Sequence, residues 1–218
     1  MNLTIKNIIW IVNYMTKIKY AKFRLSRRIG KSVHGHPQDA INFRNYFCGQ
    51  HGQTSIRKNS EYAVQLTAKQ AIKYHHNITE KQLRKYYTMA SNMKGNANEN
   101  LLVLLNRRLD INVFRLGITP TMYSACQLVS HNHVLVNGKK VNIRSYLLKE
   151  GDVITLTEKA KKFDFVNASI SNANRSVPSY LSVDDKKMEY KYVRNPAFGE
   201  VPYPFNAEFS LIIELYSR

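Results

Sequence analysis

Apolar residues recur at helical spacing between Ser60 and Leu116, then give way to strand-like alternation after His131. Ser60 is placed to cap a first helix whose apolar positions are Tyr62, Val64, Leu66 and Ile72, ending near Tyr74. Thr79 caps a second, with Gln82 at capping-box spacing, a stripe of Leu83, Tyr86, Tyr87, Ala90 and Met93, and Gly95 as its stop. A third is predicted as one rod over 98–116, with Leu101, Leu102, Leu104, Leu105, Leu109, Val113 and Leu116 inward and Gly117 ending it. Thr119-Pro120 then restarts a helix, Thr as N-cap and Pro at the first helical position, running to about His131.

Beyond it, Val134-Leu135-Val136 faces Lys139-Lys140-Val141 across Asn137-Gly138, the strongest short hairpin signal. A strand is predicted over 152–156 after a Gly151 turn. Residues 163–200 read as loops and 209–216 as a closing strand. Ahead of Ser60, residues 16–60 show no periodicity, and 47–53 form a loop whose glycines allow positive φ. Residues 1–14 are an extension before a second methionine, Met15; they lack the Arg and Ser richness of a transit peptide. The expected fold class is α+β, helices first and then a small, mainly antiparallel sheet. The expected divisions are a basic extension and loop region (1–59), a helical domain (60–106, with part of 163–218 packing nearby), a helix-and-sheet domain (107–162) and a C-terminal segment (163–218).

Charge changes the picture. The chain has 218 residues and a formal charge of +18, with 33 Lys and Arg against 15 Asp and Glu. Residues 1–60 hold eleven Lys/Arg and one acid, Asp39, whereas 163–218 hold six against seven. So uneven an excess suits a polyanion, because each phosphate neutralised releases condensed counterions. No apolar run approaches the roughly 18 residues of a membrane span. Two cysteines without a CxxC exclude a disulfide scaffold. Asn, Ile, Lys, Tyr and Phe make up 81 residues, an AT-rich codon signature of an organelle or a reduced bacterial genome. Arginine persists against that bias at Arg24, Arg27, Arg28, Arg44, Arg57, Arg107, Arg108 and Arg115.

The unit 109–156 is helix, turn, helix, hairpin, strand, and its chemistry suits RNA read by shape. Helix N-termini favour phosphates, and Arg107, Arg108, Arg115, Lys139, Lys140 and Arg144 can surround them. Gln127, Ser130 and His131 recur on one side of the second helix and add uncharged hydrogen-bonding groups. The three arginines are expected opposite a Leu-rich face, hence outward. Lys139 and Lys140 should alternate across the strand, so that one makes the closer contact.

These residues carry a resemblance. Arg108-Leu109-Asp110, Phe114-Arg115-Leu116-Gly117, Ala125-Cys126-Gln127-Leu128-Val129-Ser130-His131, Val136-Asn137-Gly138-Lys139-Lys140 and Gly151-Asp152-Val153-Ile154 closely resemble the S-four (S4) type of RNA-binding domain. Gly49-Gln50-His51-Gly52-Gln53, Tyr62-Ala63-Val64-Gln65-Leu66 with Lys69-Gln70, Lys94-Gly95-Asn96 and the ending Ile213-Glu214-Leu215-Tyr216 extend it to the S-four family of small-subunit ribosomal proteins over about 16–218. Glu200-Val201-Pro202-Tyr203-Pro204 is similar to its alphaproteobacterial and mitochondrial branch. Phe47-Cys48 departs from the family's proline-containing turn, and 1–14 have no counterpart.

The resemblance implies a basic helical domain carrying an inserted-type S-four domain. It also implies an early rRNA-binding, non-catalytic constituent of the small ribosomal subunit that organises the 5′ domain of its rRNA. Implied partners are that rRNA, neighbouring small-subunit proteins and mRNA near where it enters; no membrane and no cofactor is implied. The implied RNA-binding set is Lys22, Arg24, Arg27, Arg28, Arg44, His51, Arg57, Lys58, Lys69, Arg107, Arg108, Arg115, Gln127, Ser130, His131, Asn137, Lys139, Lys140 and Arg144. The branch resemblance, taken with the codon signature, implies a mitochondrial ribosome and an organelle gene, with an AT-rich bacterium or plastid as the alternative.

Three other readings compete with this one. Pseudouridine synthases carry the same domain and an Arg-Leu-Asp whose Asp is the nucleophile, and Arg108-Leu109-Asp110 mimics it. Asp110, however, lies on a predicted helix leading into the RNA-binding unit, not in a separate downstream catalytic domain, and the stretch after Leu156 is too short for one. A free RNA chaperone would share the domain but lack the helices of 60–106. Zinc would need four ligands, whereas His34, His36, Cys48 and His51 offer a single thiolate. Residues 16–60 hold few apolar side chains and are expected to order only against RNA.

Overall fold

In the computed structural model, residues 24–54, 60–171, 177–184 and 188–217 are described. The described residues open with two short helices, α1 (Arg24–Ile29) and α2 (Ala40–Phe43). Asp39, the one acid of the first sixty residues, is a clip. Its carboxylate accepts from Ser26 Oγ at 2.7 Å and Ser32 Oγ at 2.9 Å, and it caps α2. Leu25 and Val33 are buried against Tyr74, giving this polar segment a small core of its own. The loop after α2 needs glycine for two reasons. Gly49 has φ +109°, as expected, while at Gly52 a Cβ would collide with the Phe47 carbonyl.

Three helices follow: α3 (Glu61–His75), α4 (Glu80–Asn92) and α5 (Ala97–Asn106). Ser60 caps α3, and Thr79 and Gln82 form the predicted capping box of α4. The buried face of α3 differs from the expected one: Tyr62 and Val64 are exposed, and Gln65, Ile72 and His75 are buried. Spacing decides this, since 62, 64 and 66 cannot share a helical face whereas 65, 72 and 75 nearly do. Met93 is likewise exposed, beyond the last turn of α4.

The predicted rod over 98–116 is two helices. α6 (Leu109–Arg115) is separated from α5 by Arg107 and Arg108, and Arg108 is extended (φ −64°, ψ 139°). The break is compensated by the segment after the hairpin. Leu148 N–H donates to the Arg107 carbonyl (2.8 Å), and Leu109 N–H to that of Tyr146 (2.9 Å). α7 (Met122–Ser130) starts two residues later than predicted, because Thr121, not Thr119, makes the N-cap, in a capping box with Ser124.

The sheet consists of β1 (Val134–Val136), β2 (Lys139–Lys140), β3 (Val153–Leu156), β4 (Leu181–Asp184) and β5 (Glu189–Tyr192). Its order is β2-β1-β3-β5-β4 and all its pairings are antiparallel, with Val136 opposite Ile154 and Ile154 opposite Tyr190. The fold is therefore α+β, as the pattern predicts. Asn137 and Gly138 turn the hairpin with φ of 50° and 76°.

Residues 163–200 are more regular than expected. Short α8 (Glu158–Lys161) leads into α9 (Asp164–Ser171), and β4 and β5 form a second hairpin. The closing segment is a helix, α10 (Phe209–Ser217), not a strand. A short apolar run is ambiguous by periodicity alone. Packing against α3 and α5 decides for a helix that buries Phe209 and Ile212, one turn apart. Burial of two such side chains is worth about 1.5–3 kcal/mol each.

Candidate nucleic-acid interface

The exposed cations fall into separate groups. Arg24, Arg28, Lys31, Arg44 and His51 are exposed on the N-terminal segment, and Lys139 and Lys140 on the hairpin edge. Both hairpin lysines are open to solvent because β2 is a two-residue edge strand. On α7, Gln127, Ser130 and His131 are exposed at i, i+3 and i+4 and share a face, while Ala125, Leu128 and Val129 fill the core. Lys22, Arg57 and Lys58 lie outside the described residues.

Two of the expected phosphate ligands are corrected. Arg108 and Arg115 do not face outward: they are 2% and 5% exposed. Restarting the chain at Leu109 turns α6 so that every residue from Leu109 to Val113, and Arg115, is buried, and a helix buried all round has no solvent face. Arg108 donates from Nε to Asp110 Oδ1 (3.0 Å), from Nη2 to Oδ2 (2.6 Å) and from Nη1 to the Tyr86 hydroxyl (3.1 Å). Burial would lower its pKa, but Asp110 and then Tyr86 raise it, so the guanidinium stays ionised. Arg115 donates to Asn106 Oδ1 and to the Tyr180 hydroxyl (2.8 Å), and its guanidinium lies over the Tyr203 ring, 5.5 Å from the centroid.

Others are partly engaged. Arg107 Nε donates to the Leu148 carbonyl (2.8 Å), leaving the head half-buried. Arg27 is tied to the Tyr46 and Phe47 carbonyls at 3.1 and 3.0 Å. Lys69 is not a free cation, since it pairs with Glu80 at 2.8 Å and its side chain is 13% exposed. Lys73 and the Tyr216 hydroxyl hold the same carboxylate. Burial opposes ionisation of Glu80, but these donors outweigh it and lower its pKa. The Asn137 amide also serves the fold, donating to Asp152 Oδ1 (2.8 Å) and accepting from Val153 N–H (2.9 Å). Arg144 is half-buried.

Sequence reasoning missed other groups. Lys81, Arg84 and Lys85 of α4 are all exposed, and their i, i+3, i+4 spacing was a legible signal of one basic face. Lys159 and Lys162 are exposed beside Phe163 and Phe165. Around α3 the interior is polar: His75 Nδ1 lies 2.8 Å from the Val33 carbonyl and His76 Nε2 3.0 Å from the Tyr203 hydroxyl. Burial, with Arg115 nearby, holds His75 down at about 3; burial and the neighbouring His75 hold His76 well below its ordinary value. Among the described residues no three His, Cys, Asp or Glu side chains gather as metal ligands.

The basic groups thus sit on a framework of helices and a five-stranded sheet, and the sequence that builds it matches known families. Residues 17–106 match the family model for the ribosomal protein S4/S9 N-terminal domain, and residues 107–154 that for the S4 domain. The boundary falls at Arg107, where α5 ends. The small ribosomal subunit protein uS4 of Rickettsia felis is 49% identical over 205 residues, covering 94% of this chain and all of the relative. That of Rickettsia prowazekii matches to the same extent, and that of Rickettsia canadensis is 48% identical over the same span. With two family models covering more than half its length and relatives matched end to end, the chain belongs to the S4 family of small ribosomal subunit proteins.

Proposed function

We propose that this chain is a structural, non-catalytic protein of a small ribosomal subunit, binding the subunit's rRNA through its exposed basic groups. The observation that carries the reading is the end-to-end likeness to proteins named small ribosomal subunit protein uS4. The net charge of +18 supports a polyanionic partner. The RNA-facing set, revised for burial, is Arg24, Arg28, Arg44 and His51 at the N-terminus, Gln127, Ser130 and His131 on α7, and Lys139 and Lys140 on the hairpin, with Lys22, Arg57 and Lys58 kept from sequence. Arg107 and Arg144 contribute at its margin. Organisation of the 5′ domain of the rRNA, contact with neighbouring small-subunit proteins and a position where mRNA enters follow from the family reading. So does a division near residue 107 between a helical domain and an S4 domain. The codon signature and the Rickettsia relatives support a mitochondrial ribosome.

An enzyme reading has little to stand on. Asp110 is fully buried with both carboxylate oxygens held by Arg108, so no substrate reaches it as a nucleophile. The test is sedimentation of a lysate containing the tagged chain through a salt-containing gradient. Migration with the small subunit is expected, and a chain left at the top while the subunit sediments intact overturns the reading.

A further inference from the structure

Beside the exposed face of α7 lies a recess of about 310 Å³, lined by Gln127, Leu128, His131, His133, Phe163 and Phe165, among others. That volume is at the low end of small-ligand sites. Its walls are aromatic. The Phe163 and Phe165 rings are stacked, 5.5 Å between centroids and 21° apart in plane, and His133 meets Phe163 edge-on at 5.1 Å. Phe165 is 40% exposed, so a large apolar ring is kept in water with a neighbour already stacked on it. In its lining, Gln127 brings an amide that can both donate and accept, while the exposed Lys159 is near enough to His133 to act on its charge and the exposed Lys162 precedes Phe163 in the chain.

We propose that this recess holds one unpaired nucleobase of the bound RNA, stacked on the Phe165 ring. The proposal rests on the RNA-binding function proposed for the chain and deepens it. Every base has a π-face that an aromatic ring accepts, and single-stranded elements are where RNA exposes one. The Gln127 amide can pair with the edge of the base, and Lys159 and Lys162 suit the flanking phosphates. An apolar side chain of a neighbouring protein would use the rings but leave this amide and these lysines without a purpose. Charge complementarity therefore favours the base.

The experiment measures binding of the full chain to three RNAs of equal length: a perfect duplex, the same duplex with one bulged adenosine, and that duplex with an abasic bulge. The bulged adenosine should bind at least roughly 5-fold more tightly than the abasic control, the lower bound for loss of one base–aromatic stack. Phe165→Ala should abolish that preference and leave duplex binding unchanged, whereas Phe165→Tyr, which keeps the ring, should retain it. Equal affinity for base and abasic bulge, with the duplex still bound, overturns the recess and spares the RNA-binding reading. Failure to bind any of the three RNAs overturns both. A preference that survives Phe165→Ala places the base elsewhere and also overturns the proposal.

Discussion

Arg108 and Asp110 form a buried, two-bonded ion pair, 2% and 0% exposed, at the point where α5 ends and α6 begins. Through its third donor, Arg108 also reaches the Tyr86 hydroxyl on α4, so one guanidinium ties the helical part of the chain to the start of the S4 unit. A pair that has left water contributes through its completeness: removing one partner strands a charge, while removing both need not cost much.

Asp110→Ala should therefore destabilise the chain by about 3–5 kcal/mol. The double variant Arg108→Met/Asp110→Leu should lose clearly less than the sum of its two single variants. Urea unfolding of the unsubstituted chain, Arg108→Met, Asp110→Leu and the double variant measures the coupling, and that of Asp110→Ala the single loss. A single-variant loss below about 1 kcal/mol would show the pair to be dispensable.

For RNA affinity, the hairpin lysines and the inward arginines should part company. Lys139→Ala/Lys140→Ala should weaken rRNA binding and flatten its salt slope by roughly 0.9 for each phosphate no longer neutralised, by analogy with duplex DNA. Its stability should stay within about 0.5 kcal/mol. Arg108→Ala should instead lower the melting temperature sharply. Binding titrations across salt concentrations, paired with thermal melts, separate the two, and a stable Arg108→Ala protein with a flattened slope would reverse the assignment.

The buried histidines set a pH dependence. His75 and His76 are neutral in the folded chain, with His75 held down at about 3, whereas an unfolded imidazole takes up a proton below about pH 6.5. The unfolded chain then binds more protons, so stability is full above about 6.5 and falls as the pH drops from there toward 3. For His75 the slope is about 1.4 kcal/mol per pH unit, or about 2 kcal/mol by pH 5, and His76 acts in the same direction. Urea midpoints at pH 7.5 and 5.0 test this. His76→Gln should flatten the dependence, and an unchanged dependence would place its origin elsewhere.

Gly138 adopts φ +76° with open space where a Cβ would go, so a side chain there is opposed by backbone conformation alone. Gly138→Val should cost about 1–2 kcal/mol, and Asn137→Ala a similar amount through removal of its hydrogen bonds to Asp152 and Val153. Both are read by chemical denaturation. Neutral effects would mean that the β1–β3 pairing holds the turn without help.

Amide exchange on the RNA-free chain tests the N-terminal segment. The small core of Leu25, Val33 and Tyr74 and the Asp39 clip should give local protection near Val33 that is weaker than in α5 and α6, which lie in the main core. Protection over 24–54 equal to that of α5 would show the segment to fold without RNA.

Local signals were legible wherever a few adjacent residues decide the outcome. The Thr79–Gln82 capping box, the Asn137-Gly138 turn and the apolar spacing of α4 and α5 depend on chemistry within one turn, and the sequence alone determined them. So were the α+β class, the charge asymmetry and the family motifs. Which way a side chain faces is different, because that depends on partners far along the chain. Arg115 turns inward to Tyr180, 65 residues away, and Lys69 is neutralised by Glu80 and stacked near Tyr216. The run from Phe209 to Tyr216 is apolar enough for a strand or a helix, and only the surface of α3 and α5 chose the helix. Arginines that a continuous 98–116 rod would expose became a buried network once Leu148 and Tyr146 broke that rod at Arg107 and Arg108. Long-range pairing of backbone and charge, which no local pattern encodes, made those decisions.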